Sequence, residues 1–407
     1  MLVIGAGASG LMSAYSGSIN NDEVTVIERN EKPGKKIYIT GKGRCNVTNA
    51  CSVDKFFTNV ATNPKFLYGA VHTFSSADLM SLLEELGLKL KIERGERVFP
   101  VSDKASDVTN CLYKACLRNG VKFEFSTVVK KIEKLNDKFL VYTDKGVFED
   151  NSVIIATGGK SYPSTGSTGD GYVFAKSFGH KIVEPISALS ALYGRNTSDL
   201  AGLSLKNVTA TILENNKKVA SQFGEMLFTH EGVSGPIILT LSSLINRKNF
   251  DDLSLQIDLK PALDEKTLND RILRDFAENQ NKKIVNVLAL LMPKALIPHC
   301  LQQSGINPEK AVNSITKEER TKLIGAIKHL TFDLIGLYPL QEAIVTAGGI
   351  NVKEIDPKTM ESKLVEGLYF AGEIIDVDCF TGGFNLQTAF STGYIAGMYA
   401  SKKYTKE

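Results

Sequence analysis

The strongest constraint on the fold lies at the start of the chain, where Leu2-Val3-Ile4 runs into Gly5-Ala6-Gly7-Ala8-Ser9-Gly10 and then an apolar segment from Leu11. A short apolar strand, Gly-x-Gly-x-x-Gly, a helix, and a second strand at Val24-Thr25-Val26-Ile27 make a βαβ unit. In that unit the first glycine forms the turn, the second lets backbone approach a pyrophosphate, and the third lets the helix pack closely on the strand. Glu28 ends the second strand, 21 residues after Gly7, where a carboxylate can accept the hydroxyls of an adenosine ribose. The free N–H groups and dipole of the helix behind Gly10 suit the pyrophosphate. NAD and FAD both use this unit. A Gly-rich turn of some other α/β protein is the plain alternative.

Further along, apolar spacing predicts helices over Ser76 to Leu86 and Ala105 to Arg118. From Val121 to Ala156 the period changes to two, with an Asp144-Lys145-Gly146 turn, which reads as a β-meander ending in a doubly buried strand at Val153-Ile154-Ile155. Beyond Pro185 short strand-like runs suggest an inserted β domain, followed by helical periodicity from Asp264 to Lys328. Leu368-Tyr369-Phe370 reads as a buried strand back in the first domain, a last helix starts near Asn385, and Lys402 to Glu407 reads as a frayed polar tail. The expected fold class is α/β, with a Rossmann-type domain over 1–186 and 337–407. A β-rich domain over 187–262 and 329–336 interrupts it and carries a helical subdomain over 263–328. The insert contains no second Gly-x-Gly-x-x-Gly, so it is expected to shape a substrate entrance without a nucleotide fold of its own.

Composition removes several function classes. Lys+Arg 48 against Asp+Glu 45 leaves +3, which disfavours a nucleic-acid binder driven by net charge. The six cysteines form no CxxC, which suggests reduced thiols in a cytoplasm, and the five histidines show no metal-ligand spacing, so no metal is expected. Val287 to Met292, the longest apolar stretch, is far below the roughly 20 residues a bilayer needs. A start directly on a structural strand leads to the expectation of no signal peptide and a cytoplasmic location.

Two distant segments bear on the cofactor. Ile154-Ile155-Ala156-Thr157-Gly158-Gly159 and Leu368-Tyr369-Phe370-Ala371-Gly372-Glu373 both end buried strands and resemble the ATG and GD segments of two-domain FAD enzymes, with Glu373 where the usual acid is Asp. Together with Gly34-Lys35-Lys36, the run Thr40 to Asn49, Gly224 to His230, Gly232 to Pro236 and Thr381-Gly382-Gly383-Phe384-Asn385-Leu386-Gln387, the chain resembles over essentially its whole length a bacterial family of FAD flavoproteins. That family includes aminoacetone oxidase and dehydro-bile-acid reductase. One departure is Cys379-Phe380 after Asp376-Val377-Asp378, where the family commonly has Gly and a polar residue, so substrate preference is expected to differ.

The resemblance implies the two-dinucleotide-fold flavoprotein arrangement and cofactor contacts from Gly5, Gly7, Ala8, Ser9, Gly10, Glu28 and Arg29. It extends these contacts to Lys36, Gly41, Arg44, Cys45 and Asn46, and to Val129, Thr157 and Gly158. Gly372, Glu373, Gly383, Asn385, Leu386 and Gln387 complete the implied set. Lys36, Lys42 and Arg44 place positive charge beside glycines, which suits a diphosphate or a flavin; a solvated basic loop is the alternative. The Gly382-Gly383 turn is expected to aim the last helix at flavin N1 and C2=O, where its dipole favours the anion formed on reduction. Catalytic residues are not assigned. Tyr162 is the best single candidate for proton transfer and Cys45 a weaker one, packed against the isoalloxazine. His230 reads as structural, and Cys45 and Cys51 have one intervening residue more than a disulfide-reductase pair.

The function implied is an FAD-dependent oxidoreductase exchanging hydride between flavin N5 and a small organic substrate. Either NAD(P)H, as a transient donor docking over the flavin, reduces an activated double bond, or a small amine is oxidised by oxygen. An FAD-dependent tRNA-modifying enzyme and a non-catalytic flavin sensor are the alternatives.

Overall fold

The computed structural model describes residues 1–19 and 23–401; the polar tail read at Lys402 to Glu407 lies outside these. The chain divides into two compact units, one of Met1–Ala188 with Pro339–Glu407 and one of Leu189–Tyr338.

The first unit is built on five short parallel strands: β1 Leu2–Ile4, β2 Thr25–Ile27, β3 Lys122–Glu124, β4 Val153–Ile155 and β5 Leu368–Phe370, in the order β5-β4-β1-β2-β3. Every residue of the three strands in the middle and at the β5 end that carry Leu2–Ile4, Val153–Ile155 and Leu368–Phe370 is buried, as expected for a parallel sheet covered on both faces. Helix α1, Ala8–Ser18, follows β1, and the last helix among the described residues is α2, Phe384–Ala400. These helices pack backbone to backbone. A β-carbon on Gly393 would lie 2.4 Å from the Ser9 carbonyl, and one on Gly397 2.1 Å from the Ser13 carbonyl. Ser9, Ser13 and Gly17, four residues apart on α1, give the small surface this approach needs, and overpacking such a contact costs about 1–3 kcal/mol.

The expected β-meander over 121–156 is divided by the structure. Lys122–Glu124 pairs in parallel with β2 as the edge of the main sheet, and the antiparallel part is the separate sheet Val129–Leu135, Lys138–Thr143 and Val147–Asp150. An edge strand half-open to solvent shows the same alternation as a meander strand, so period two cannot separate them. A second small sheet orders Thr48–Asn49, Arg97–Pro100 and Leu90–Glu93. Ala105–Arg118 is a helix, as its spacing predicts.

The second unit is a closed six-stranded barrel in the order Leu192–Gly194, Gly232–Ser234, Lys217–Phe228, Ser204–Glu214, Leu253–Asp258, Leu330–Leu337. Helices Glu265–Glu278, Ile297–Ser304 and Lys317–Lys328 pack their apolar sides into the same core, among them Leu268, Ile272, Leu301 and Leu323. Among the described residues no helix is long and apolar enough to cross a membrane.

His180 is a buried titratable group in the first unit. Its Nε2 lies 2.8 Å from Ser362 Oγ, its Nδ1 3.3 Å from Glu354 Oε2, and Phe370 meets the ring edge-on at 4.8 Å. Burial holds its pKa below the ordinary imidazole range, with Glu354 opposing the shift. A depressed folded-state pKa means that the contribution to stability is complete above about pH 6.5 and is lost as pH falls toward the folded value. Denaturant midpoints measured at about pH 7.5 and about pH 5.5 should fall more for the wild type than for His180→Asn. Parallel losses in the two proteins would show that His180 does not contribute.

Candidate functional site

The site is built around the β1–α1 turn. Gly5 has φ +102°, donates to the Ile27 carbonyl at 2.8 Å, and has no room for a side chain, since a β-carbon would meet the Ala156 carbonyl at 2.6 Å. A β-carbon on Gly10 would lie 1.9 Å from the Gly5 carbonyl, so the third glycine fixes how closely α1 sits on β1. Gly7, the N-cap of α1, differs from both: a β-carbon there meets nothing within 4 Å. Open space at the N-terminus of a helix of eleven residues, where the glycine has no packing reason to be glycine, fits a pyrophosphate.

Glu28 is 7% exposed beside this turn. Its Oε2 accepts from the Ala6 N–H at 2.7 Å and its Oε1 from the Asn30 N–H at 2.8 Å and Asn30 Nδ2 at 2.6 Å. The carboxylate therefore shapes the turn. Thr127 donates to the Glu28 carbonyl, which brings the start of the strand at Val129 alongside. Arg29 reaches outward, to Asp170 at 3.0 Å and Thr168 Oγ1 at 2.5 Å.

Thr157 and Gly158 follow β4, and Gly372 follows β5 so closely against α1 that a β-carbon would lie 2.5 Å from Ser9 Oγ. Thr157 Oγ1 and Asn46 Oδ1 are buried with no hydrogen-bond partner among the described residues, as expected of polar atoms facing a ligand position. Glu373 and Lys36 pair with one another at 2.6 Å. Lys36 also donates to Ser161 Oγ at 2.7 Å, and Glu373 Oε1 accepts from the Thr346 N–H at 2.8 Å and Ser161 Oγ at 3.0 Å. Thr346 Oγ1 in turn accepts the N–H groups of Lys160 at 2.9 Å and Ser161 at 3.0 Å. Burial by itself would raise the Glu373 pKa, but Lys36, the Thr346 N–H and the Ser161 hydroxyl hold it below the usual carboxylate range. Thr346 has no signal in the local sequence. Its partners lie 186 and 185 residues earlier.

Several residues with implied cofactor roles have other employment. Arg44 forms ion pairs with Glu93 and Asp103 and lies 4.3 Å over the Phe99 ring, so its charge is neutralised within the Leu90–Pro100 hairpin and its neighbour Asp103. Gln387 is wholly buried, accepting from Thr48 Oγ1 at 2.6 Å and donating to the Phe74 carbonyl at 3.2 Å. Asn385 clamps the 376–380 loop through the Cys379 N–H at 2.9 Å and carbonyl at 2.7 Å. Leu386 packs against the core that contains Leu11 and Phe390. Gly383, φ +101°, would place a β-carbon 2.4 Å from the Thr48 carbonyl, so a larger side chain there breaks packing before it can tune a flavin. Gly41, φ +56°, forms the left-handed turn that leads to Cys45 and Asn46.

Of the two candidate catalytic residues, Cys45 lies wholly within an apolar core, and burial pushes its thiol up to about 12, which removes it as a thiolate. Cys45 and Cys51 are both free thiols. Tyr162 is half-buried with φ +51°, and its carbonyl accepts from Thr165, so it caps a turn in the polar loop after β4.

A parallel sheet whose first turn leaves an open helix N-terminus, with a carboxylate ending the second strand and small-residue segments ending β4 and β5, defines the FAD-dependent oxidoreductase class. The chain belongs to the HI0933-like protein Rossmann domain family, which it matches over residues 1–399. It is 31% identical over 410 residues to the ribosomal RNA dihydrouridine synthase of Haemophilus influenzae, covering 99% of this chain and 98% of that protein. It is 30% identical over 407 residues to the 3-dehydro-bile acid delta(4,6)-reductase of Clostridium scindens, covering 98% of each. The 3-ketosteroid-delta4-(5alpha)-dehydrogenase of Rhodococcus jostii RHA1 shares its fold, with a TM-score of 0.54 and 14% identity over 98% of this chain and 96% of that one.

Gly7 and Gly10 separate binding from folding. Gly7→Ala should fold with an unchanged apoprotein melting temperature but retain FAD at least about tenfold more weakly, the loss of one hydrogen bond to a charged group. Gly10→Ala should lower the apoprotein melting temperature itself. Flavin-to-protein ratios and apoprotein melting curves check both; equal FAD retention by Gly7→Ala and wild type would remove the pyrophosphate from this turn.

Proposed function

We propose that this protein is an FAD-dependent reductase that saturates a carbon–carbon double bond conjugated to a carbonyl, with NAD(P)H as electron donor. The observation that carries this reading is the bond change shared by two whole-length relatives. Dihydrouridine is uridine with the ring double bond beside a carbonyl saturated, and a delta(4,6)-reductase acting on a 3-dehydro bile acid saturates bonds conjugated to the 3-keto group. The substrates differ, but the reacting unit is the same.

In this reading the Gly5 to Gly10 turn and Glu28 take the adenosine diphosphate half of FAD. Thr157, Gly158, Gly372 and Asn46 line its path, and the Gly382-Gly383 turn faces the flavin. Lys36, Glu373, Ser161 and Thr346 hold the loops after β4 and β5 in fixed register, and Asn385 holds the 376–380 loop. The chemistry supplied by bound FAD is hydride transfer from the nicotinamide to the carbon β to the carbonyl. A proton then joins the α carbon, so that NAD(P)H and one proton are consumed for each bond saturated. Cys45 and Cys379, both buried with thiols pushed up to about 12, take no part in a thiolate relay.

The test is anaerobic turnover of the holoprotein with NADH or NADPH and three substrates: a small cyclic enone, a 3-oxo-4,6-diene steroid, and a uridine-containing RNA. The expected result is nicotinamide oxidation in step with a product heavier by two hydrogens for at least one of them. Failure to reduce any of the three, or turnover only of a primary amine with oxygen, overturns the proposal.

A further inference from the structure

A hollow of about 340 Å³ opens in the first unit along the second half of the helix Ala105–Arg118, lined by Leu86, Cys111, Lys114, Leu117 and Arg118. Cys111, Lys114 and Arg118 are spaced by three and four residues and so share one face of that helix. Leu86 is the residue that follows the helix Ser76–Glu85. None of the five belongs to the set read as holding FAD, and the contact with the Gly34 turn is made earlier on the helix, at Thr109. Small-molecule sites span about 300–1,000 Å³ and are lined mostly by carbon with a few polar groups. The hollow has that size and that composition.

The apolar part of the wall is Leu86, half-buried, Leu117, 47% exposed, and the side chain of Cys111. The Cys111 thiol donates to the Leu83 and Leu86 carbonyls at 4.0 and 3.9 Å, which engages its proton within the protein. Burial holds this thiol above its ordinary range, with Arg118 opposing the shift, so near pH 7 it is a neutral group that packs like a small hydrophobe. The charge comes from Lys114 and Arg118, both exposed and neither in an ion pair among the described residues. Side chains at i and i+4 are neighbours on a helix, so an ammonium and a guanidinium can meet one carboxylate, the guanidinium as a two-donor fork. Glu85 is the opposing charge: it acts on Tyr15 as Arg118 does, but it does not line the hollow. This pair of cations repels a cationic ligand, and a neutral one leaves it unused. A second copy of the chain would need about 800 Å² of surface per partner. Leu117 is the single exposed large apolar side chain of the five.

We propose that this hollow binds a free aliphatic monocarboxylate of medium chain length, the alkyl chain lying against Leu86, Cys111 and Leu117 and the carboxylate on Lys114 and Arg118. The inference is independent of the reductase reading and gives the first unit a second ligand site. Carbon beside a cation pair without a protein counter-charge is complementary to both ends of such a molecule.

The test uses decanoate as the probe, titrated calorimetrically into the protein as purified. Saturable binding with a Kd of about 1 mM or tighter is expected, as suits a ligand of this size. Decanol and decyltrimethylammonium should bind at least about tenfold more weakly, and so should decanoate to the double variant Lys114→Gln with Arg118→Gln. Both substituted side chains are exposed, so an unchanged melting temperature is expected of the variant. A second readout locates the ligand: decanoate should slow alkylation of Cys111 by iodoacetamide, followed by peptide mass spectrometry, and should do so in the wild type but not in the double variant. Binding weaker than about 1 mM, equal binding of decanol and decanoate, equal binding by the double variant, or alkylation of Cys111 at an unchanged rate under saturating decanoate each overturns the proposal.

Discussion

The contact on which the first unit depends is the approach of α1 to β1, where Gly10 comes so near the Gly5 carbonyl that a β-carbon would lie 1.9 Å from it. That contact fixes the direction of α1, and the direction of α1 determines where its free N–H groups lie. The same helix is gripped on another side by α2, through Ser9 against Gly393 and Ser13 against Gly397. Small residues here have a geometric purpose. They let two helices and a strand meet at backbone distance, so main-chain contacts, together with the Glu28 carboxylate on the Ala6 N–H, place the N-terminus of α1. Gly7 stands out within this packing because nothing fills the space beside it.

A second constraint is electrostatic. Lys36, Ser161, Thr346 and Glu373 come from four distant parts of the chain and satisfy one another in a partly buried network. A buried carboxylate of this kind is tolerable only because it is paired and hydrogen-bonded, and removal of one partner leaves a charge or an N–H without its mate. The network fixes the loops after β4 and β5 to each other. In the proposed reading these loops line the cofactor, and the network positions them without requiring that its own members touch it.

Local signals were legible in proportion to how far apart their causes lie. The glycine turn, α1, Glu28, the buried strands β4 and β5, and the helix Ala105–Arg118 each follow from residues close in sequence, and spacing finds them. Lys122–Glu124 was obscured because alternation marks any strand with one open face, whichever sheet it joins. Thr346 was invisible, since nothing near Val345 announces a bond to Lys160. Polar residues at the start of α2 resemble ligand contacts in sequence, yet Gln387 is bonded to Thr48, 339 residues earlier, and Asn385 to the Cys379 backbone. Arg44 likewise looks free until the fold brings Glu93 and Asp103 to it. Charge and polarity read from sequence identify groups that need partners; only the fold shows which partner is already inside the protein.

The proposed function depends on one placement, the pyrophosphate at the α1 turn, and the most direct test is a crystal structure of the FAD-loaded protein. The expected result is a pyrophosphate within hydrogen-bond distance of the N–H groups of the first turn of α1, beside Gly7, with the adenosine ribose on Glu28. An FAD whose pyrophosphate lies elsewhere, with the space beside Gly7 filled by solvent, would contradict it.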